Sequence, residues 1–314
     1  MAETGPPSSN GRPAAPPASP RAVAELLGEQ DYLADRGLAT VVYLGLTLGQ
    51  PLLLEGEAGV GKTEVARTLA AVQGAELIRL QCYEGLDVNT AVYEWDYPRQ
   101  MLEIRLLEAR GEARSASTRD IFSEEFLIRR PLLRALESPG EEPPVLLIDE
   151  VDRADEEFEA FLLEVLSDFA VTIPEIGTVR AERPPRVILT SNRTREVHDA
   201  LKRRCLYHWI DYPTAERELA ILHARVPGVP ERLAGEIVGF VQRLREADLA
   251  KSPGVAETLD WAAALLALGA DHLDAARVEQ TLGVLLKYQE DMATMRGGTA
   301  RTVLEESRAM AGAR

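Results

Sequence analysis

Short apolar runs alternate along the first two thirds of this chain with stretches whose apolar residues recur every three or four positions. The runs at 51–54, 77–81, 145–148, 186–190 and 206–210 have strand length. The 145–148 run is continuously apolar, as a strand covered on both faces must be. Between them the 3.6-residue period predicts helices. One is an early segment with Leu33, Leu38, Val41, Val42 and Leu44 as candidate buried positions. Another follows over 64–72, and a third leads to Pro143 and Pro144, where proline ends it. A further helix is capped by Asp155 and carries Phe158, Phe161, Leu162, Val165, Leu166 and Phe169 on one face. Residues 170–181 read as a hairpin, with Val171 and Ile173 alternating with polar residues and a turn at 174–177. Strands alternating with helices predict an α/β fold with a parallel sheet covered on both faces. From Pro213 onward the pattern is helical only: Ile237, Phe240, Val241 and Leu244 form one stripe, and 259–268 and 278–286 offer two more helices. No internal repeat is visible.

The expected organisation is a Pro/Ala-rich disordered tail over 1–20, an α/β domain over 21–212, an all-α domain over 213–290 and a flexible tail over 291–314. Composition sets the class without refining it: 46% hydrophobic and 27% charged residues suit a soluble globular protein. Charge narrows the partners. With 35 basic against 51 acidic residues the formal net charge is −16, which repels phosphate backbones and anionic lipid, so neither nucleic acid nor a membrane surface is expected. No apolar run approaches the roughly 20 residues of a membrane span, the N-terminus lacks an apolar signal core, and the expected location is cytoplasmic. Cys82 and Cys205 are far apart with no CxxC spacing, which suits a reducing compartment and argues against a disulfide framework or zinc site. His198, His208, His223 and His272 are too scattered for a metal.

The candidate chemistry begins at Gly56, Glu57, Ala58, Gly59, Val60, Gly61, Lys62 and Thr63, which match GxxxxGK[ST] between an apolar strand and a helix. Glycines let the backbone curl so that its N–H groups face phosphates, and the helix start, with Glu64 in its first turn, adds its positive end. Lys62 neutralises the β and γ phosphates of ATP, and the Thr63 hydroxyl coordinates Mg2+. The apolar strand at 145–148 runs into Asp149 and Glu150. Asp149 is expected to hold the magnesium shell through water, and Glu150 to polarise the attacking water. The strand at 187–190 ends in Ser191 and Asn192. Asn192 is either a turn residue or the group that orients water and senses the γ-phosphate. Lys202, Arg203 and Arg204 are either a basic helix end that complements the dipole or an arginine finger for a neighbouring subunit. Tyr93, Trp95 and Tyr97 are either a grip for a partner or a local mini-core.

With these elements in this order, residues 30–290 resemble the AAA+ ATPases, and within them the MoxR family. The resemblance is carried by residues 56–63, by Leu146-Leu-Ile-Asp149-Glu150-Val-Asp152-Arg153-Ala154 and by Ser191-Asn192-Arg193. The hairpin at 171–179 looks like the pre-sensor insertion of that branch, and 85–105 occupies the place of its second-helix insertion. Residues 205–213 and Glu257-Thr-Leu-Asp-Trp261 are similar to the CoxD type that accompanies carbon monoxide dehydrogenase and related molybdenum hydroxylases.

The resemblance implies a P-loop αβα sandwich followed by a helical lid, a homo-oligomeric ring of six, and Arg204 at the finger position with Arg203 beside it. It further implies pore-facing loops from the two insertions, a von Willebrand A-domain partner, and a client metalloenzyme that is remodelled or matured. One departure is plain: Ser252-Pro253 is followed by Gly254-Val255-Ala256-Glu257, where many relatives carry a lid arginine that contacts the γ-phosphate. Two other functions compete with a remodelling ATPase. One is an ATP-gated assembly scaffold with little turnover; the other is a P-loop small-molecule kinase, which would need a lid arginine cluster and an acceptor pocket.

Overall fold

The computed structural model describes residues 17–110, 121–296 and 298–312. Five strands form the central sheet: β1 (Leu52–Gly56), β2 (Leu77–Gln81), β5 (Val145–Asp149), β8 (Arg186–Ser191) and β9 (Leu206–Ile210), in the order β2-β5-β8-β1-β9. Each apolar run of the sequence is one of these strands. β2 and β8 flank β5 in parallel, with Gln81 opposite Asp149 and Leu189 opposite Ile148. β5 and most of β8 are fully buried, which explains their unbroken hydrophobicity. The order brings the carboxyl ends of β2, β5 and β8 together.

Two compact units emerge from the contacts. The first holds the described parts of Met1–Gln30, Ala34–Leu54 and Val65–His208; the second holds Asp31–Leu33, Glu55–Glu64 and Trp209–Arg314. In the first unit, α1 (Pro20–Gly28) is capped by Ser19, and α2 (Arg36–Leu48) is capped by Asp35 and stopped by a left-handed Gly49. Most of the expected tail at 1–20 lies outside the described residues, but Ser19 and Pro20 start a helix. Leu38 and Val42 are buried as expected, whereas Leu44 is 37% exposed.

The segment expected to be one helix up to Pro143 is divided. After α3 (Lys62–Gln73) and β2 come α4 (Val88–Val92), β3 (Tyr93–Trp95) and α5 (Tyr97–Arg110). β4 (Leu127–Arg129) then pairs antiparallel with β3, and a new helix, α6 (Pro131–Leu136), starts on Pro131. Proline at the first turn begins a helix rather than continuing one, so a single helix cannot run through it. Trp95 is buried, edge-on to Tyr93 and Phe122, while Tyr97 stands exposed. The aromatic cluster is thus a mini-core at two of its three positions. Asp155 caps α7 (Glu156–Asp168) through the Phe158 amide at 2.8 Å, and β6 (Ala170–Ile173) with β7 (Gly177–Arg180) forms the expected hairpin.

In the second unit, helices α9 (Ala215–Arg225), α10 (Glu231–Arg245), α11 (Val255–Ala267) and α12 (Ala275–Leu285) enclose a core around Phe240 and Trp261. The end of the chain differs from expectation. Residues 289–295 and 299–312 form α13 and α14, and Met295, Ala300, Val303 and Leu304 are buried in that same core. Within α14, Ala300, Val303, Leu304 and the buried Ser307 fall at i, i+3, i+4 and i+7, a stripe that is narrow because alanine and serine supply part of it. Among the described residues no helix is long and apolar enough to cross a membrane.

Candidate functional site

In the first unit the site gathers at the carboxyl ends of β2, β5 and β8. Asp149 closes β5 and is 2% exposed. Its two oxygens have different partners: Thr190 Oγ1 donates to Oδ1 at 2.5 Å, while Arg79 donates to Oδ2 from Nε at 2.9 Å and from Nη2 at 2.5 Å. Arg79 is the residue that the reading of the sequence missed. The signal was the alternation in β2, where Ile78 and Leu80 are buried and Arg79 and Gln81 fall on the other face.

Glu150 leaves the strand in a left-handed backbone conformation, φ 56° and ψ 50°. Its amide donates to Thr190 Oγ1 at 2.9 Å, which turns the chain away from β5. The carboxylate stays partly exposed and is steered from three sides. Gln81 Nε2 donates to Oε2 at 3.0 Å, Arg153 Nη1 lies 3.2 Å from Oε2, and Asn192 Nδ2 is 3.4 Å from Oε1. Asn192 therefore meets the second carboxylate directly.

The loop after β8 is fastened to the same turn. Asp152, 2% exposed, accepts the Asn192 amide at 3.2 Å, the Thr194 amide at 2.8 Å and the Thr194 hydroxyl at 2.6 Å. Glu159, fully buried on α7, pairs with Arg195 and accepts the His198 amide at 2.7 Å. His198 caps the short helix α8 (Asp199–Lys202), and Arg203 and Arg204 follow it, exposed. Among the described residues neither arginine's side chain takes part in a hydrogen bond or ion pair. The acidic surroundings act on Cys82, whose thiol is pushed up to about 12 by burial first and then by Asp149, Asp152, Glu150 and Glu159.

In the second unit lies the glycine-rich loop. Lys62 is 6% exposed and donates to the carbonyls of Gly56 at 2.7 Å and Glu57 at 2.6 Å. Val60 is buried, Glu57 is exposed, and Ala58, Gly59, Gly61, Thr63 and Glu64 are half-buried. Gly59 has φ 78°, a left-handed conformation that a side chain disfavours. α3 begins at Lys62, so its free N–H groups open at the loop. Glu64 Oε1 pairs with Arg225 Nη1 at 3.0 Å, tying the helix start to α9. Among the described residues no group of three or more His, Cys, Asp or Glu is arranged to hold a metal.

Residues 51–205 match the model of the AAA domain, dynein-related subfamily. This part of the chain belongs to the AAA+ ATPase family. The match ends at Cys205, just past Arg204, so the AAA+ domain spans the loop, the two carboxylates, Asn192 and both arginines. A search of curated proteins found no significant match. Among solved structures, the chain is similar to the Holliday junction branch migration motor RuvB of Thermotoga maritima, with 17% identity and a TM-score of 0.44 over 86% of this chain and 72% of that one. Two point mutants of RuvB are similar at 18% and 16% identity, both with a TM-score of 0.47, over 88% and 87% of this chain and 75% and 72% of theirs. The AAA+ assignment implies nucleotide use, in the same direction as the sequence of the glycine-rich loop.

Proposed function

We propose that this chain is a MoxR-type ATPase that binds ATP with Mg2+ at residues 56–64, hydrolyses it, and uses the cycle to remodel or activate a client protein. The observation that carries the reading is the contact of Asn192 with Glu150. Glu150 is partly exposed and held by the side-chain amides of Gln81 and Asn192, so its carboxylate has a fixed direction and stays open to water, as a group that draws a proton from water must. Asn192, the first residue after β8, is suited to orient that water.

The donor chemistry fits a magnesium ion. Thr63 and Asp149 offer a hydroxyl and a carboxylate, the hard oxygen ligands this ion takes, with Asp149 acting through water. No protein cage exists among the described residues, so phosphates and waters would complete the shell, as is usual for this ion. Bound there, magnesium neutralises charge on the β and γ phosphates. Lys62 would exchange its two carbonyl partners for phosphate oxygens, and the main-chain amides from Gly56 to Thr63 would supply the remaining donors.

The reading includes a nucleotide-binding domain over 21–212, a lid over 213–290 and a homo-oligomeric ring, a hexamer, in the cytoplasm. Arg204, with Arg203 beside it, completes the neighbouring subunit's site; both are exposed and unpaired among the described residues, which suits that role. A von Willebrand A-domain partner and a client metalloenzyme whose molybdenum-type site is matured follow from the CoxD-type likeness alone. The net charge of −16 speaks against nucleic acid as substrate.

A second reading, an ATP-gated scaffold with little turnover, is favoured by the glycine that follows Ser252-Pro253. One preparation separates the two. Lys62→Ala should lose nucleotide, whereas Glu150→Gln should retain ATP without releasing phosphate and carry its client through purification. Wild-type turnover in Glu150→Gln would remove Glu150 from the role of base, and slow turnover in the wild type would favour the scaffold.

A further inference from the structure

The glycine-rich loop and the turn before α11 belong to the same compact unit, and Gly59 and Gly254 approach each other there backbone to backbone. A Cβ on Gly254 would lie 2.6 Å from the Ala58 carbonyl oxygen and 2.8 Å from Gly59 Cα, closer than real Cβ atoms come. A Cβ on Gly59 would lie 2.7 Å from Glu257 Oε2 and 3.2 Å from Gly254 Cα. Neither position admits a side chain without moving the other.

A hydrogen bond joins the same two segments. The Ala256 amide, in the first turn of α11, donates to the Gly59 carbonyl at 3.1 Å. A free N–H of the helix start is thereby spent on the loop. The turn before α11 is itself braced from beneath. Arg245, 7% exposed, donates Nε to the Pro253 carbonyl at 2.8 Å and closes a two-pronged pair on buried Glu218, 2.7 Å at each prong. Its guanidinium lies 4.6 Å from the centre of the Tyr212 ring. Glu257 completes the turn by accepting the Gly254 amide at 3.0 Å.

We propose that Gly254 is a positioning residue for nucleotide binding: the turn at 252–254, seated on Arg245, holds Gly59 in its left-handed conformation and so sets the direction of the loop's phosphate-facing amides. This rests on the reading of residues 56–64 as the triphosphate site. The lid then acts on the nucleotide through the loop backbone, and needs no arginine of its own to do so. The chemistry recognised is the phosphate chain, so the nucleoside end of the ligand is indifferent to the contact.

The test compares wild type, Gly254→Ala and Gly283→Ala, the last a helical glycine of the same unit with open space around its Cα. Binding of fluorescent ADP and ATP is measured beside unliganded melting. Gly254→Ala should raise Kd for both by about tenfold or more, the scale of loss that misplaced binding groups produce, with melting unchanged against Gly283→Ala. Equal Kd in Gly254→Ala and wild type would overturn the proposal. Where Gly254→Ala melts early, Ala256→Pro decides, because it removes the amide that donates to Gly59 in the first turn of α11, where no intrahelical hydrogen bond is lost. Weakened binding there supports the proposal, and wild-type binding sinks it. A wild type that binds neither nucleotide would instead refute the reading of the loop itself.

Discussion

Arg79 turns two nitrogens, Nε and Nη2, onto one oxygen of Asp149, joining β2 to the end of β5. The pair is asymmetric: the guanidinium side chain is 45% exposed, the carboxylate 3%. A nearly buried carboxylate needs its positive partner far more than a half-solvated arginine needs the acid. Asp149 is thus oriented by the neighbouring strand before any ligand is considered.

Replacing Arg79 with Met keeps the stem and removes the charge. Asp149 then loses both guanidinium bonds on Oδ2 while keeping the one from Thr190, and the loss should be about 1–2 kcal/mol, discounted because solvent reaches the guanidinium. Urea unfolding measures it. Arg79→Lys should recover only part, since an ammonium lacks the planar fork. An Arg79→Met protein as stable as wild type would show that the pair contributes nothing.

Asp152 accepts three hydrogen bonds from Asn192 and Thr194, and it is the link between the turn after β5 and the loop after β8. Asp152→Ala strands two amides, at a cost of about 2–4 kcal/mol. Hydrogen exchange should rise at the Asn192 and Thr194 amides first, with Glu150 left without its aligned neighbour. Unchanged protection there would mean that the loop holds itself.

The exposed Arg204 carries a prediction about assembly. Arg204→Ala and Glu150→Gln should each abolish phosphate release, since a finger elsewhere contributes ~10³–10⁵ in rate. Mixed together, the two variants should regain part of the activity, because one intact site arises wherever an intact Arg204 faces an intact Glu150. A mixture as silent as its components would mean that each subunit's site is complete by itself.

Both thiols are pushed up to about 12 from 9.0, Cys205 by burial alone and Cys82 by burial and its acidic neighbours. A folded-state pKa raised above the unfolded value contributes stability below pH 9 that is lost as pH rises toward 12. Melting temperature should therefore fall through that window, and less steeply in Cys82→Ser. Maleimide labelling of folded protein at pH 8 should be slow at both positions, because the thiolate is the reactive form. Rapid labelling of Cys82 would contradict its burial.

What the sequence disclosed followed the strength of each local signal. The unbroken apolar run before Asp149 and Glu150, and the hairpin with its alternating Val171 and Ile173, depend on neighbours in sequence, and both read correctly. Arg79 was missed because its role comes from lateral pairing of β2 with β5, a relation across 70 positions that no local pattern carries. The helices at 289–295 and 299–312 were missed because their stripe uses Ala300 and Ser307, residues too small to register as hydrophobic. The division of the stretch leading to Pro143 turns on Pro131, which begins a helix instead of lying inside one.

The left-handed twist at Glu150 has a cost borne by every molecule of this protein. A carboxylate-bearing residue is tolerated there only because the surrounding contacts over-determine it, whereas glycine would rest in that shape without protest. Robustness and reactivity thus pull in opposite directions at a single Cα. A Glu150→Gly chain would gain backbone ease at this turn and lose the carboxylate that the turn presents.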